Sequence, residues 1–300
     1  MMISMQKAST PANLVVPSWE TAIAGPVVDD RGKAAVAFVR ANAASLLTMQ
    51  YDEASFEISI EDSRINAEEI GDYLESRARG RILFEATTLG FVETFLCCRG
   101  LRSHGLTQLH LLYVEPRTYN APHRSKVLHK RDFELSDVVP RYRAIPGAAF
   151  HLSGFSKQHA VFFLGYEEHR LDVALESFQQ TLPPQNCSLV FGVPAFQPGW
   201  EMNSFANNVR VVRSKDVSGG IHFCGAENPA AAMDVLDEIR AGLAEGSRML
   251  VAPIGTKPMG IAAALFAAEN SDVGLLYDHP KRRAGRSSES SSWHLYEAAF

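Results

Sequence analysis

Apolar positions along the chain switch between a helical and an alternating period. From 31 to 49 they recur at helical spacing (Ala35, Phe38, Val39, Ala43, Leu46, Leu47), which predicts one amphipathic helix. Phe56, Ile58 and Ile60 then alternate with polar residues as in a half-buried strand, and a second helix is expected at about 66–77. The apolar run at 82–84 turns at Thr87, Thr88 and Gly90 into a helix reaching about Ser103, and a further run at 109–114 stops at Glu115 and Pro116. A connection of that length is too long for a hairpin, so these two strands are expected to be parallel. The first thirty residues carry Pro11, Pro17 and Pro26 without periodicity, which predicts an irregular arm that covers a sheet edge.

Residues 117–158 are rich in Pro, Arg and His and read as an irregular connection, with the domain boundary expected at 150/151. Beyond 158 the pattern is regular. Apolar runs at 160–164 (AVFFL), 188–193 (SLVFGV), 221–224 (IHFC), 248–252 (RMLVA) and 273–277 (VGLLY) alternate with helical stretches at 169–180, 201–209, 229–244 and 259–269. Five such alternations predict an α/β fold, a Rossmann-like parallel sheet with helices on both faces and ligands beyond the carboxyl ends of its strands. The expected organisation is an N-terminal α/β region over 1–150 and a Rossmann-like domain over 151–300. LLYVEPRTY at 111–119 echoes LLYDHPKRR at 275–283, each after a strand, a Thr-containing turn and an apolar helix. Either the two halves are diverged relatives, or buried strands closed by a proline have produced the same string twice.

Composition narrows the classes. An apolar share of 46% with 21% charged residues is that of a globular chain, and a formal charge of −5 provides no footprint for wrapping a nucleic-acid duplex. No apolar run approaches the roughly 18–20 residues of a membrane span, and the N-terminus lacks the apolar core of a secretory signal, so a cytoplasmic protein is expected. Cys97, Cys98, Cys187 and Cys224 form no CxxC pair and no zinc spacing, and are expected to be packing residues. With no HExxH, nuclease carboxylate pair, deaminase signature or GxSxG elbow, neither a metal nor a cofactor is assigned.

The sharpest local signal is VAPIGTKPMGIAAALFAA at 251–268. A buried strand ends, Gly255 permits a tight backbone path, and a helix begins near Pro258, which suits a first turn because its missing N–H costs nothing there. Helix-start N–H groups, the Thr256 hydroxyl and the Lys257 ammonium would converge on one spot, as a phosphate requires. The plainer alternative is a structural turn with Lys257 reaching water. The loop lacks the GxxxxGK[ST] spacing of a Walker motif. Other strand ends add ligand-binding candidates: Gly165 with Glu167 and Arg170, Thr87 and Thr88 in the first half, and after the last strand Asp278, His279 and a basic stretch through Arg286. Glu167 and Asp278 are the candidate acid–base residues, whereas RSSESSSW reads as a polar linker.

The strand, Gly-Thr-Lys-Pro-Met loop, helix and strand-Tyr-Asp series at 249–278 resembles the CARF domains, the ring-nucleotide sensors associated with CRISPR systems. Gly255, Thr256 and Lys257 match that family's Thr-Gly-Gly-Thr-Lys loop, here also after the fourth strand of the domain, while Pro253 and Ile254 depart from it. The resemblance spans about 160–280. It implies a dimer binding cyclic oligoadenylate, and no nuclease domain follows. Three classes stay open: a nucleotide or second-messenger sensor of a prokaryotic antiviral defence system, as a homodimer or complex subunit; a nucleotide- or nucleoside-processing hydrolase using Glu167 or Asp278 in the same cleft; and a non-catalytic scaffold.

Overall fold

The computed structural model describes residues 1–119, 123–124, 131–132, 135–138, 142–148, 157–217 and 219–300. Two compact units make up the chain: unit 1 is Met1–Asn120 with Arg283–Phe300, and unit 2 is Ala121–Arg282. The division expected at 150/151 therefore lies elsewhere, and the C-terminal segment returns to the first unit. Much of the irregular connection expected at 117–158 lies outside the described residues.

In chain order the elements begin with β1 (Met2–Ala8), β2 (Trp19–Ala24), α1 (Asp30–Asn42), β3 (Ala43–Asp52), β4 (Glu57–Ile60), β5 (Ser63–Asn66), α2 (Ile70–Arg77), β6 (Ile82–Glu85), α3 (Phe91–Ser103) and β7 (Gln108–Tyr119). Unit 2 contributes β8 (His123–Arg124), β9 (Arg131–Asp132), β10 (Ser136–Val138), β11 (Gln158–Leu164), α4 (Glu168–Ser177), β12 (Cys187–Gly192) and α5 (Trp200–Ser214). It continues with β13 (Ile221–Cys224), α6 (Pro229–Ala241), β14 (Arg248–Pro253), α7 (Lys257–Glu269), β15 (Gly274–Leu275) and β16 (Lys281–Arg282), before β17 (Ser287–Ala299) closes unit 1.

The unit 1 sheet runs β1-β17-β7-β6-β2-β3-β4-β5. Its four central strands are parallel, and antiparallel pairs flank them on both sides. Three expectations are corrected here. The N-terminal arm is not irregular, because β1 pairs with β17 along its whole length and β2 lies at the sheet centre. The single helix expected over 31–49 is a helix and then a strand: the Asn42 amide donates to the Phe38 carbonyl oxygen at the helix end, and Ala43 onward pairs with β2. The serine-rich tract is strand rather than linker: Ser287, Ser288 and Ser290 pair with β7, β1 joins on the other side from Trp293 onward, and Ser287, Trp293, Leu295 and Tyr296 are buried.

Unit 2 holds a five-stranded parallel sheet in the order β13-β12-β11-β14-β15. Numbered along the chain, that order is 3-2-1-4-5. Ala160, Phe162 and Leu164 of β11 form one core with Leu171, Ala174 and Leu175 of α4 and Val211 of α5. Every residue of α7 from Pro258 to Ala267 is buried, which explains why that helix is apolar on all sides. At about 1.5–3 kcal/mol for each fully buried large side chain, this packing holds the start of α7 in place. Of the run at 273–277 only β15 is strand.

The chain is thus a mixed α/β protein, and no described helix is long and apolar enough to cross a membrane. The units lay down their first two and last two parallel strands in the same order: β3-β2-β6-β7 in unit 1 and β12-β11-β14-β15 in unit 2. Unit 1 has the antiparallel β4–β5 hairpin where unit 2 has the parallel β13. The echoing strings at 111–119 and 275–283 fall at the corresponding last parallel strands.

Candidate functional site

Where the strand order of an open parallel sheet reverses, the flanking loops diverge and leave a crevice at the carboxyl ends. In unit 2 that point lies between β11 and β14, paired through Phe162↔Ala252 and Phe163↔Pro253. The loops that follow press together at two glycines. A Cβ on Gly165 would stand 2.7 Å from the Ile254 carbonyl oxygen, and one on Gly255 would meet Met259 Sδ at 2.8 Å and Phe163 Cβ at 3.1 Å. Three side chains of α5 hold the first loop: the Ser204 hydroxyl and the Asn208 amide donate to the Gly165 carbonyl oxygen (3.0 and 3.1 Å), and the Asn207 amide donates to that of Tyr166 (2.6 Å). Sequence reasoning missed these; the only signal was a run of small polar residues, Asn203, Ser204, Asn207 and Asn208, on the buried helix face between Trp200 and Val211.

Arg170 sits buried under the crevice. Its guanidinium forks onto Asp278, Nε to Oδ2 at 2.7 Å and Nη2 to Oδ1 at 2.6 Å, and Nη1 donates to the Ile254 carbonyl oxygen at 3.3 Å. Burial works against the charge of Arg170, but the Asp278 and Glu167 carboxylates outweigh it and raise its hold on the proton above the ordinary value. Glu167 accepts the backbone N–H groups of Leu135 and Ser136, both at 3.0 Å, and the Ser136 hydroxyl at 3.1 Å. Both sequence-proposed acid–base residues are therefore acceptors in a closed buried network that ties the ends of β11, β14 and β15 together.

Thr256 is the N-cap residue of α7, yet its hydroxyl donates to the Ala226 carbonyl oxygen at 2.7 Å and makes no capping bond. The first turn of α7 therefore starts without a side-chain acceptor from its own cap, with Lys257 first and Pro258 second. Gly255, Thr256 and Lys257, after β14 at the strand-order reversal, are half-buried.

Unit 1 repeats the plan between β2 and β6. Gly25 packs against the Thr88 carbonyl oxygen, where no Cβ fits, and its N–H donates to Thr88 Oγ1 at 3.0 Å. Arg31, near the start of α1, is buried and donates from Nη1 to the Val114 carbonyl oxygen at 2.7 Å, from Nε to Ser287 Oγ at 2.9 Å and from Nη2 to Asp29 at 3.1 Å. Glu85 ends β6 and accepts the N–H groups of Thr87 (2.8 Å) and Thr88 (3.0 Å) together with the Thr88 hydroxyl. Burial pushes the Glu85 carboxyl up despite those bonds. In both units, then, a buried arginine of the helix after the first parallel strand bonds at the matching fourth position of the 111–119 and 275–283 strings: Val114, within β7, and Asp278, just past β15.

No protein-family model matches the chain, and no curated protein is similar to it in sequence.

The expected ligand residues divide between the units. Gly165, Glu167, Gly255, Thr256, Lys257 and Asp278 belong to unit 2; Thr87, Thr88 and Arg286 belong to unit 1. Thr87 Oγ1 accepts the Val114 N–H at 3.0 Å, and Arg286 acts electrostatically on Asp29, Tyr113 and Tyr119. These three residues are part of the unit 1 framework.

Asp29 caps α1 through the Gly32 N–H at 2.9 Å and also accepts the Ser287 hydroxyl at 2.6 Å. Burial alone would raise its pKa, but Arg31, Ser287 and Gly32 together hold it below the usual 3.8. An Asp29→Ala variant should lose about 3 kcal/mol at neutral pH, through the lost cap and the stranded Arg31 charge. Because the folded pKa is depressed, that contribution is complete above 3.8 and disappears as pH falls through the folded value. Urea unfolding of both proteins from pH 7 to pH 2.5 checks this: the gap should narrow only at the acid end.

Proposed function

We propose that unit 2 is a Rossmann-like, CARF-like domain that binds a nucleotide or nucleotide second messenger, and that the protein is a cytoplasmic sensor or accessory protein of a prokaryotic antiviral defence system. The observation that carries this is the start of α7. Its cap hydroxyl is turned to Ala226, so the helix N-terminus has no side-chain cap of its own, and it opens at the strand-order reversal beside two close-packed glycine loops. A phosphate would supply the missing acceptor, favoured by the helix dipole and by the Lys257 charge. The Gly-Thr-Lys match to the CARF loop supports the sensor assignment, and four free buried cysteines accord with a reducing compartment.

Binding without turnover is favoured over hydrolysis because Glu167 and Asp278 already accept bonds from Ser136, Leu135 and Arg170. The role of Thr256 is correspondingly to place the loop rather than to hold phosphate. Lys257 makes the direct contact.

Thermal unfolding against mono-, di- and cyclic oligonucleotides tests the proposal. One class should raise the midpoint, with about 2.7 kcal/mol of stabilisation at a hundred times the dissociation constant. Lys257→Ala should fold normally and weaken that ligand about tenfold or more, the value of a charged hydrogen bond. No shift with any compound, or a shift unchanged in Lys257→Ala, would overturn the site.

A further inference from the structure

Two cavities adjoin at the amino ends of β6 and β7 in unit 1, the ends away from its glycine loops. One, of about 300 Å³, lies between the turns that precede these strands. The other, of about 430 Å³, lies between the 15–17 segment and the sheet formed by β1, β17 and β7. They share Arg81, Gln108 and His110, and both are of the size that small molecules occupy.

The walls are held from the sheet. The Gln6 amide bonds the Val15 backbone in both directions, donating to its carbonyl oxygen and accepting its N–H at 3.2 Å each, and so fastens the 15–17 segment to β1. On the other side Glu20 accepts the Arg81 N–H at 2.6 Å, and Thr21 Oγ1 accepts the Arg79 N–H at 3.1 Å. Gly80 between them has a φ of +66° and leaves no room for a Cβ, which would stand 2.6 Å from the Glu20 carboxylate.

The larger cavity holds two opposite charges that do not meet. Ser4, Glu297 and His110 are register partners on β1, β17 and β7. Glu297 accepts from the Gln108 amide, and its Oε2 lies 3.9 Å from Nε2 of the buried His110. Arg81 lines the same cavity, is exposed, and makes no side-chain hydrogen bond or ion pair among the described residues. Burial holds His110 toward its neutral form; Glu297 opposes this and Arg81 adds to it, so the imidazole feels both charges. Trp19 packs edge-on against the same ring with centroids 6.0 Å apart, and its buried Nε1–H has no acceptor among the described residues, so the polar capacity of this end is not used up.

We propose that this cavity binds a free α-amino acid with an apolar side chain, its carboxylate on Arg81, its ammonium on Glu297 and the His110 imidazole beside both. A guanidinium fork suits a carboxylate. A phosphate or dicarboxylate drawn to Arg81 would be repelled by Glu297, and a diamine drawn to Glu297 would be repelled by Arg81, whereas a zwitterion satisfies the two. Val16, Pro17 and Leu295 supply an apolar wall for the side chain. None of the unit 2 crevice residues takes part, so this site and the nucleotide site can fail independently.

Calorimetric titration of the full chain with each apolar amino acid tests the proposal. At least one should bind at millimolar concentration or below, and its analogues lacking the ammonium or the carboxylate, isocaproate and isoamylamine in the case of leucine, should each bind about tenfold more weakly or worse. Arg81 and Glu297 are both partly exposed, so Arg81→Ala and Glu297→Gln should keep the melting temperature of the unliganded protein. In Arg81→Ala the amino acid should bind no better than the amine, and in Glu297→Gln no better than the acid. The analogue series needs no variant, so it carries the test even where a substitution disturbs the fold. No binding by any apolar amino acid at millimolar concentration, equal affinity for the amino acid and both analogues, or binding indifferent to both substitutions would overturn the proposal.

Discussion

Replacing Arg170 with Met should cost unit 2 about 3–5 kcal/mol, because it strands the Asp278 carboxylate, which is wholly buried, without its two guanidinium donors. The same change removes the donor to Ile254 and so loosens the loop that leads to Gly255. Replacing Asp278 with Leu in the same chain should restore most of the loss, since the desolvation of both charges then disappears and only the geometry of the fork is missing. Hydrogen exchange in β11 and β14 reads this locally, which matters in a chain of two units where global unfolding is not guaranteed to be two-state. A loss below about 1 kcal/mol for the single variant would mean that water reaches the pair. The proposed nucleotide binding should weaken in the single variant and recover in the double one, which separates a framework role for Asp278 from a role in acid–base chemistry.

Gly165→Ala should be nearly as damaging, at about 2–3 kcal/mol, and for a steric reason. The added methyl would meet the Ile254 carbonyl oxygen at 2.7 Å, a backbone atom directly after β14 that also accepts from Arg170, so the two loops must separate. Gly225→Ala is the comparison, because the nearest atom there is Asn228 Cβ at 3.4 Å, an ordinary contact; it should cost under about 1 kcal/mol. Chemical unfolding of the three proteins side by side decides the matter, and equal losses at the two glycines would contradict the crowding. Gly165→Ala should also depress the affinity for the proposed ligand even though Lys257 is untouched, because these loops meet at Gly165 and Ile254.

The elements that were legible in the sequence share one property. β11, β12 and β14 are buried on both faces, so they read as short continuous apolar runs, and the helices between them have a period that no strand imitates. The 31–49 segment misled because Ala43, Leu46 and Leu47 satisfy a helical period while belonging to a strand; what decides is the pairing of Ala43 and Ser45 with Trp19 and Thr21, which local spacing does not contain. β17 was hidden for the opposite reason. A serine-rich string has low strand propensity, and only the pairing with β7, 170 positions away in the chain for Ser288 and Thr118, makes it one.

The sequence by itself determined the α/β alternation, the parallel pairing of β6 with β7, the glycines after the strands and the Gly-Thr-Lys loop at the start of α7. These are local matters of backbone conformation and of short apolar runs. Tertiary structure alone decided that the C-terminal segment completes the first sheet, that Thr256 bonds to Ala226, and that Arg170 and Asp278, 108 positions apart, form one buried pair. The cause is the range of the interactions: a strand end or a glycine turn depends on its neighbours in the chain, whereas the partner of a buried charge depends on which strand ends the sheet order brings together.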